Sequence, residues 1–195
     1  RRPPRSTHCI SSAASDVYKR QVTYPANFQL VAAMNPCPCG HFPDLARCRC
    51  TEGQITRYLQ KISGPLLDRI DLCVEASPVT YGDIRGGGEN EASGAIRARV
   101  EQAREIQKER FMEENIRCNG EMAGRHIRKY CVLGKEEETF MEEIFEKLAL
   151  SARMHDRILK VARTTADLAG ESKIRLSDLC EAVSYVKSRE KFWGN

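Results

Sequence analysis

Residues 28–34 form a short apolar run closed by the turn-forming pair Asn35-Pro36, the pattern of a buried strand. A second strand is expected over residues 70–76, where Ile70, Leu72 and Val74 alternate with Asp71, Cys73 and Glu75. Between them, TEGQITRYLQKISGP carries Ile55, Leu59 and Ile62 at helical spacing, with Thr51 placed to cap a helix and Gly64-Pro65 to stop it. Two strands are too few for an independent sheet.

After Pro78 the pattern changes. A run of glycines, Gly86 to Gly88, marks a flexible boundary, and everything beyond it reads as helix. Ser93 can cap a helix with Ile96, Val100, Ala103, Ile106 and Phe111 along one side and charges of alternating sign on the others. Shorter segments follow at 121–130 and 135–148, the latter with Phe140, Ile144 and Leu148 four residues apart. The clearest helix is 151–169, with Met154, Ile158, Val161, Thr165 and Leu168 on its apolar face and Gly170 to end it. A last helix starts at Ser177, which can serve as its cap, and buries Leu179, Val183 and Val186. The expected fold class is α/β plus α: an incomplete α/β core segment over 22–85, then a helical bundle over 91–191.

Composition alters this picture at the N-terminus. DVYKRQ resembles a translated sequencing-library adapter, and the sequence changes character after it, so residues 1–21 are set apart as an adapter-derived or disordered leader. The other reading is a basic arm that touches nucleic acid. Five of the 31 Lys and Arg residues and one of the 27 Asp and Glu residues fall in this leader, so residues 22–195 carry 26 of each. The formal charge of +4 is therefore no footprint for nucleic acid. No apolar run approaches the roughly 20 residues that cross a bilayer, and the leader lacks the apolar centre of a secretory signal. A cytoplasmic protein is expected.

Four of the nine cysteines, Cys37, Cys39, Cys48 and Cys50, fall close together in two CxC pairs. Clustering in a reducing compartment favours a metal over disulfides. Four thiolates can complete a tetrahedral structural zinc site; His41 replacing one thiolate, or a loop ordered without metal, are the alternatives. Cys73, Cys118, Cys131 and Cys180 lie scattered in segments of core character and read as small buried hydrophobes, whereas Cys9 belongs to the leader.

Three features occur in order: AAMNPCPCGH at a strand end, ISGPLLDRIDL before the next strand, and SARMHDRILKVARTTADLAG in a late helix. Together they resemble the C-terminal half of the ComM/YifB group of Mg-chelatase-like AAA+ ATPases, from about Val22 to about Arg189. The resemblance implies a ring-forming motor, a homohexamer related to the Mg-chelatase ATPase subunit and to MCM helicases. It also implies ATP and Mg2+ between neighbouring subunits, with DNA as the partner in branch migration during recombination and natural transformation. No membrane partner is implied.

The same resemblance assigns roles. Asn35 matches sensor 1, whose amide orients water or donates to the γ-phosphate; by itself Asn35-Pro36 would read as a turn. Arg69 resembles the arginine finger that neutralises charge on a neighbour's γ-phosphate, against the alternative of a salt bridge to Asp68 or Asp71. Arg153, in the first turn of a helix, matches sensor 2, against ordinary solvation of a wet face; Arg157 and Arg163 are less favoured.

No GxxxxGK[ST] phosphate loop (Walker A) and no strand ending in paired acids (Walker B) occurs in the sequence, so this chain alone is expected to be inactive. Two other functions stay open: a Mg-chelatase ATPase-subunit-like motor, and a non-enzymatic zinc-dependent module that binds DNA or protein.

Overall fold

The computed structural model describes residues 14–15, 21–22, 28–77, 79, 81–86 and 91–193. Most of the leader, Cys9 and the glycines beyond Gly86 lie outside the described residues. The chain divides into two compact units, Arg1–Thr51 and Glu52–Asn195.

In the first unit, β1 (Ala14–Ser15) and β2 (Gln21–Val22) pair antiparallel, Ala14 opposite Val22 and Ser15 opposite Gln21. Neither expected strand forms. Residues 28–34 and 70–76 are irregular, and the side chains that would line a sheet are exposed, among them Phe28, Val31, Leu72 and Val74. An apolar segment becomes a strand only when a neighbour accepts its backbone hydrogen bonds, and the described residues supply no such neighbour to either one. Among the described residues the architecture is helical with one short β pair, and the α/β core expected over 22–85 is not shown.

The second unit is built from helices. These are α1 (Glu52–Leu59), α2 (Gly64–Leu67), α3 (Tyr81–Gly86), α4 (Ser93–Arg110), α5 (Gly124–Tyr130), α6 (Lys135–Lys147), α7 (Ala152–Leu168) and α8 (Leu176–Trp193). A 3-10 turn at Asn119–Glu121 precedes α5. Gly64-Pro65 opens α2 as well as following α1, because proline is tolerated in a first turn where its missing N–H has no partner to lose.

Helix α7 is the centre of this unit and contacts α4, α5, α8 and the 3-10 turn. Ser151 caps it by accepting from the Met154 N–H at 3.2 Å, and Gly170, at φ +73°, follows its end. Its buried face departs from the expected one: Met154 and Ile158 are inside, but Ala162 and Ala166 replace Val161 and Thr165, and Leu168 is exposed. Periodicity read from large side chains overlooks alanines, whose small size does not prevent full burial in a close-packed interior. Leu179, Ala182, Val183 and Val186 of α8 complete the core together with Phe111, Met122, Ile127, Met141 and Ile144.

Other ends also shift. Helix α8 begins at Leu176, and Asp178 accepts from the Arg175 N–H at 2.8 Å, so Ser177 lies inside the first turn and is not its cap. Ala92, not Ser93, precedes α4 as its cap residue. The N-terminal half of α4 is exposed on all sides, Ile96 and Val100 included; burial starts at Ala103. Of the scattered cysteines, Cys131 is buried and its thiol is pushed up to about 11 by burial, Cys73 and Cys118 are half-buried, and Cys180 is exposed on α8.

Candidate functional site

Consecutive turns fold the cysteine loop of the first unit. The Gly40 N–H donates to the Cys37 carbonyl at 3.0 Å, Asp44 N to His41 O at 2.9 Å, and Cys48 N to Asp44 O at 2.8 Å. The Asp44 carboxylate also accepts from Ala46 N at 3.0 Å, an Asx turn that carries the chain back toward Cys37. Gly40 sits at φ +82°, a conformation that disfavours any residue with a Cβ.

These turns gather four sulfurs. The Sγ atoms of Cys37, Cys39, Cys48 and Cys50 all lie within 4.8 Å of one another, with Cys37–Cys39 at 3.4 Å, Cys39–Cys48 at 3.6 Å and Cys37–Cys48 at 3.8 Å. A tetrahedron with metal–sulfur bonds of about 2.3 Å places its sulfurs about 3.8 Å apart, so the spacing fits a zinc tetrathiolate. Cys37 is fully buried and its sulfur accepts from the Phe42 N–H at 3.4 Å, the kind of outer bond that orients a metal-bound thiolate. His41 is exposed and stands outside the group.

The electrostatics of the cluster are uneven. The backbone N–H groups of His41 and Arg49 hold Cys39 down to about 6. Cys50 accepts a backbone N–H from Cys39, but burial and the neighbouring Cys39 and Cys37 sulfurs push it up to about 12. Packed thiolates oppose one another's ionisation, and a divalent cation relieves that repulsion.

Asn35 lies two residues before this cluster. It is exposed, and its side chain lies over Gly40, where a Cβ would come within 3.4 Å of its Nδ2.

Arg69 and Arg153 belong to the second unit. Arg69 follows α2, is exposed, and donates from Nη1 to the Pro65 carbonyl at 2.6 Å. Asp71 is paired instead with Arg157, whose Nε lies 3.0 Å from its Oδ1. Arg153 is exposed in the first turn of α7. One turn on, Arg157 donates to the carbonyls of Ile70, at 3.1 Å, and Asp68. Arg163 is buried and bonds Asp167 and the carbonyls of Glu171 and Ser172.

Sequence reading missed a buried polar network. Asp167 accepts from Arg110, Arg163 and Asn119, and Asn119 in turn binds Gln107 through its backbone and Thr164 through its side chain. The signal available for it is Arg163 and Asp167, spaced i,i+4 beside the alanine stripe of α7.

Two family models match in order: "Magnesium chelatase, subunit ChlI" over residues 9–84, beginning inside the leader, and "Magnesium chelatase, subunit ChlI C-terminal" over residues 90–186. Competence protein ComM of Haemophilus influenzae is 41% identical over 186 residues, which is 95% of this chain and 35% of the relative. Uncharacterized protein YifB of Salmonella typhimurium is 42% identical over 168 residues, 86% of this chain and 32% of the relative. An uncharacterized protein of Mycobacterium tuberculosis is 36% identical over 162 residues, 83% of this chain and 32% of the relative. The chain thus spans about a third of the length of the curated relatives it matches. With both models running in sequence over most of its length and two relatives above 40% identity, the chain belongs to the Mg-chelatase-like ComM/YifB family.

Proposed function

We propose that this chain is the nucleotide-sensing part of an ATP-driven DNA-remodelling motor, a cytoplasmic homohexameric ring of the AAA+ type acting in branch migration. In this reading, the segment around 22–85 belongs to an α/β core completed by strands outside this sequence, and 91–191 is the lid. Asn35 is sensor 1, Arg69 the arginine finger and Arg153 sensor 2, acting on ATP and Mg2+ held by a phosphate loop that this sequence does not contain.

The observation that carries the reading is Arg69. Among the described residues its guanidinium has one hydrogen-bond acceptor, the Pro65 carbonyl, and Asp71 is taken by Arg157. An exposed cation in LLDRID is available to a neighbouring subunit's phosphate, where charge redistribution in the transition state makes it most effective. Family membership supplies the nucleotide.

Arg69→Ala in the full-length protein tests this. ATP binding should persist while turnover falls by about 10³–10⁵-fold. Mixing the variant with a subunit defective in its own phosphate loop should restore activity at mixed interfaces. Normal hydrolysis by Arg69→Ala sinks the assignment. The isolated chain should hydrolyse no ATP.

A second element of the proposal is a structural zinc held by Cys37, Cys39, Cys48 and Cys50. The convergence of the four sulfurs supports it. Bound there, the ion supplies rigidity to the loop behind Asn35 and takes no part in hydrolysis.

A further inference from the structure

The turn that carries Arg69 has few means of its own to stay in place. Asp68 N bonds Gly64 O at 2.8 Å, Arg69 N bonds Leu66 O at 2.9 Å and Ile70 N bonds Leu67 O at 3.1 Å, all within the same short stretch. Leu67 is buried, but Asp68 and Arg69 are exposed. Local bonds of this kind set the shape of a turn. They do not fix its position against the rest of the fold.

Arg157 supplies that fix from 87 residues away. Its Nε faces Asp71 Oδ1 at 3.0 Å, its Nη1 donates to Ile70 O at 3.1 Å, and its Nη2 donates to Asp68 O. All three nitrogens of one planar fork are engaged, and their acceptors lie on both sides of Arg69 in the chain. The Arg157 side chain is only 10% exposed whereas that of Asp71 is 74% exposed, so the fork is held within the fold and reaches out to a turn at the surface. Met154 and Ile158, on either side of Arg157 in α7, are buried in the core, which anchors the base of the clamp.

We propose that Arg157 is a positioning residue that clamps the Asp68–Asp71 turn to α7 and so holds Arg69 in register with Arg153, one turn earlier on the same helix. This rests on the reading of Arg69 as the finger and adds a regulation to it. Because Arg153 stands one turn before Arg157 on α7, the clamp ties the backbone on both sides of Arg69 to the helix that carries Arg153. The coupling element is a rigid helix with a three-point attachment, a physical connection between two sites. Its catalytic weight comes from geometry, since a misplacement of about 1 Å in a reacting constellation can cost about 10²-fold in rate.

Amide hydrogen exchange on this chain tests the clamp without any activity. Arg157→Ala keeps a good helix former in α7. Exchange should accelerate across residues 66–72 and stay unchanged across 158–186; unchanged exchange at 66–72 overturns the clamp, and acceleration everywhere means the variant has unfolded the bundle and overturns a local role. Arg157→Lys keeps the charge without the fork and should behave like Arg157→Ala, whereas full protection in Arg157→Lys overturns the three-point attachment.

In the full-length ring, Arg157→Ala should lower kcat by up to about 10²-fold with little change in KM for ATP. Arg69→Ala/Arg157→Ala should be no slower than Arg69→Ala alone, because a residue acting through Arg69 has nothing left to position. Multiplying defects overturn the proposal. If Arg69→Ala by itself hydrolyses ATP normally, the finger reading fails and the catalytic role of Arg157 fails with it, a result separate from the exchange result.

Discussion

Arg110 and Asp167, 57 residues apart, meet in a two-point ion pair, Nη1 to Oδ2 at 2.7 Å and Nη2 to Oδ1 at 2.5 Å. The pair joins the end of α4 to the end of α7. Its carboxylate is fully buried, and Arg163 and Asn119 satisfy what Arg110 leaves open. Among the described residues, no buried side-chain nitrogen or oxygen lacks a hydrogen-bond partner, so the network meets the condition under which a buried charge is tolerated.

Removing Asp167 should therefore be far more costly than removing a surface partner. Arg163 is 2% exposed, and burial already lowers its pKa against the support of Asp167. Asp167→Ala strands that cation and should lose about 3–5 kcal/mol. Arg99→Ala, which breaks a pair with Glu91 that is half exposed on both sides, should lose at most about 1 kcal/mol. Urea denaturation of the two variants measures the contrast; equal losses would show that the network contributes no more than a surface pair.

The cysteine cluster predicts metal content. Purified under reducing conditions, the chain should carry about one zinc ion, and Cys37→Ser with Cys48→Ser should abolish it. Elemental analysis decides the matter. A protein that is folded, free of metal and unable to take up added zinc would falsify the site. Chelation of the loaded protein should leave the bundle's melting transition in place, because the buried cluster from Phe111 to Val186 contains none of these cysteines.

Glu114 predicts a pH dependence. The hydrogen bond from Lys129, at 3.0 Å, is the main cause that lowers its pKa, with Tyr130 and the charge of His126 adding to it. A carboxylate whose folded pKa is lowered contributes stability above its unfolded value, near 4.5, and loses it as pH falls through the folded pKa. Wild type should thus lose stability below about pH 4.5 more steeply than Glu114→Gln. Parallel acid limbs for the two proteins would remove Glu114 from the account.

How much of this was legible beforehand follows from what each signal depends on. Helix α7 and its Gly170 end could be read directly, because the left-handed backbone that closes a helix is a local property of one residue; Ser151, expected as its first residue, is its cap. The convergence of the four CxC cysteines was equally legible, since residue type and close spacing are written in the chain itself. Family membership was carried by MNPCPCG and LLDRIDL, whatever the surrounding fold.

Other features required tertiary structure. Residues 28–34 and 70–76 have the pattern of strands and are not strands here, because a strand's hydrogen bonds belong to its neighbour and not to itself. Ala162 and Ala166, inconspicuous by hydropathy, are fully buried because packing from elsewhere in the chain closes over them. Arg157, a less favoured sensor candidate, meets Asp71 and the Ile70 carbonyl, and Asp167 becomes the hub of a buried network, through partners dozens of residues away. Sequence by itself determined which residues carry charge, thiol or cap; the fold decided which of them would meet, because the energy of a buried ion pair or a packed alanine depends on a neighbour brought from elsewhere in the chain.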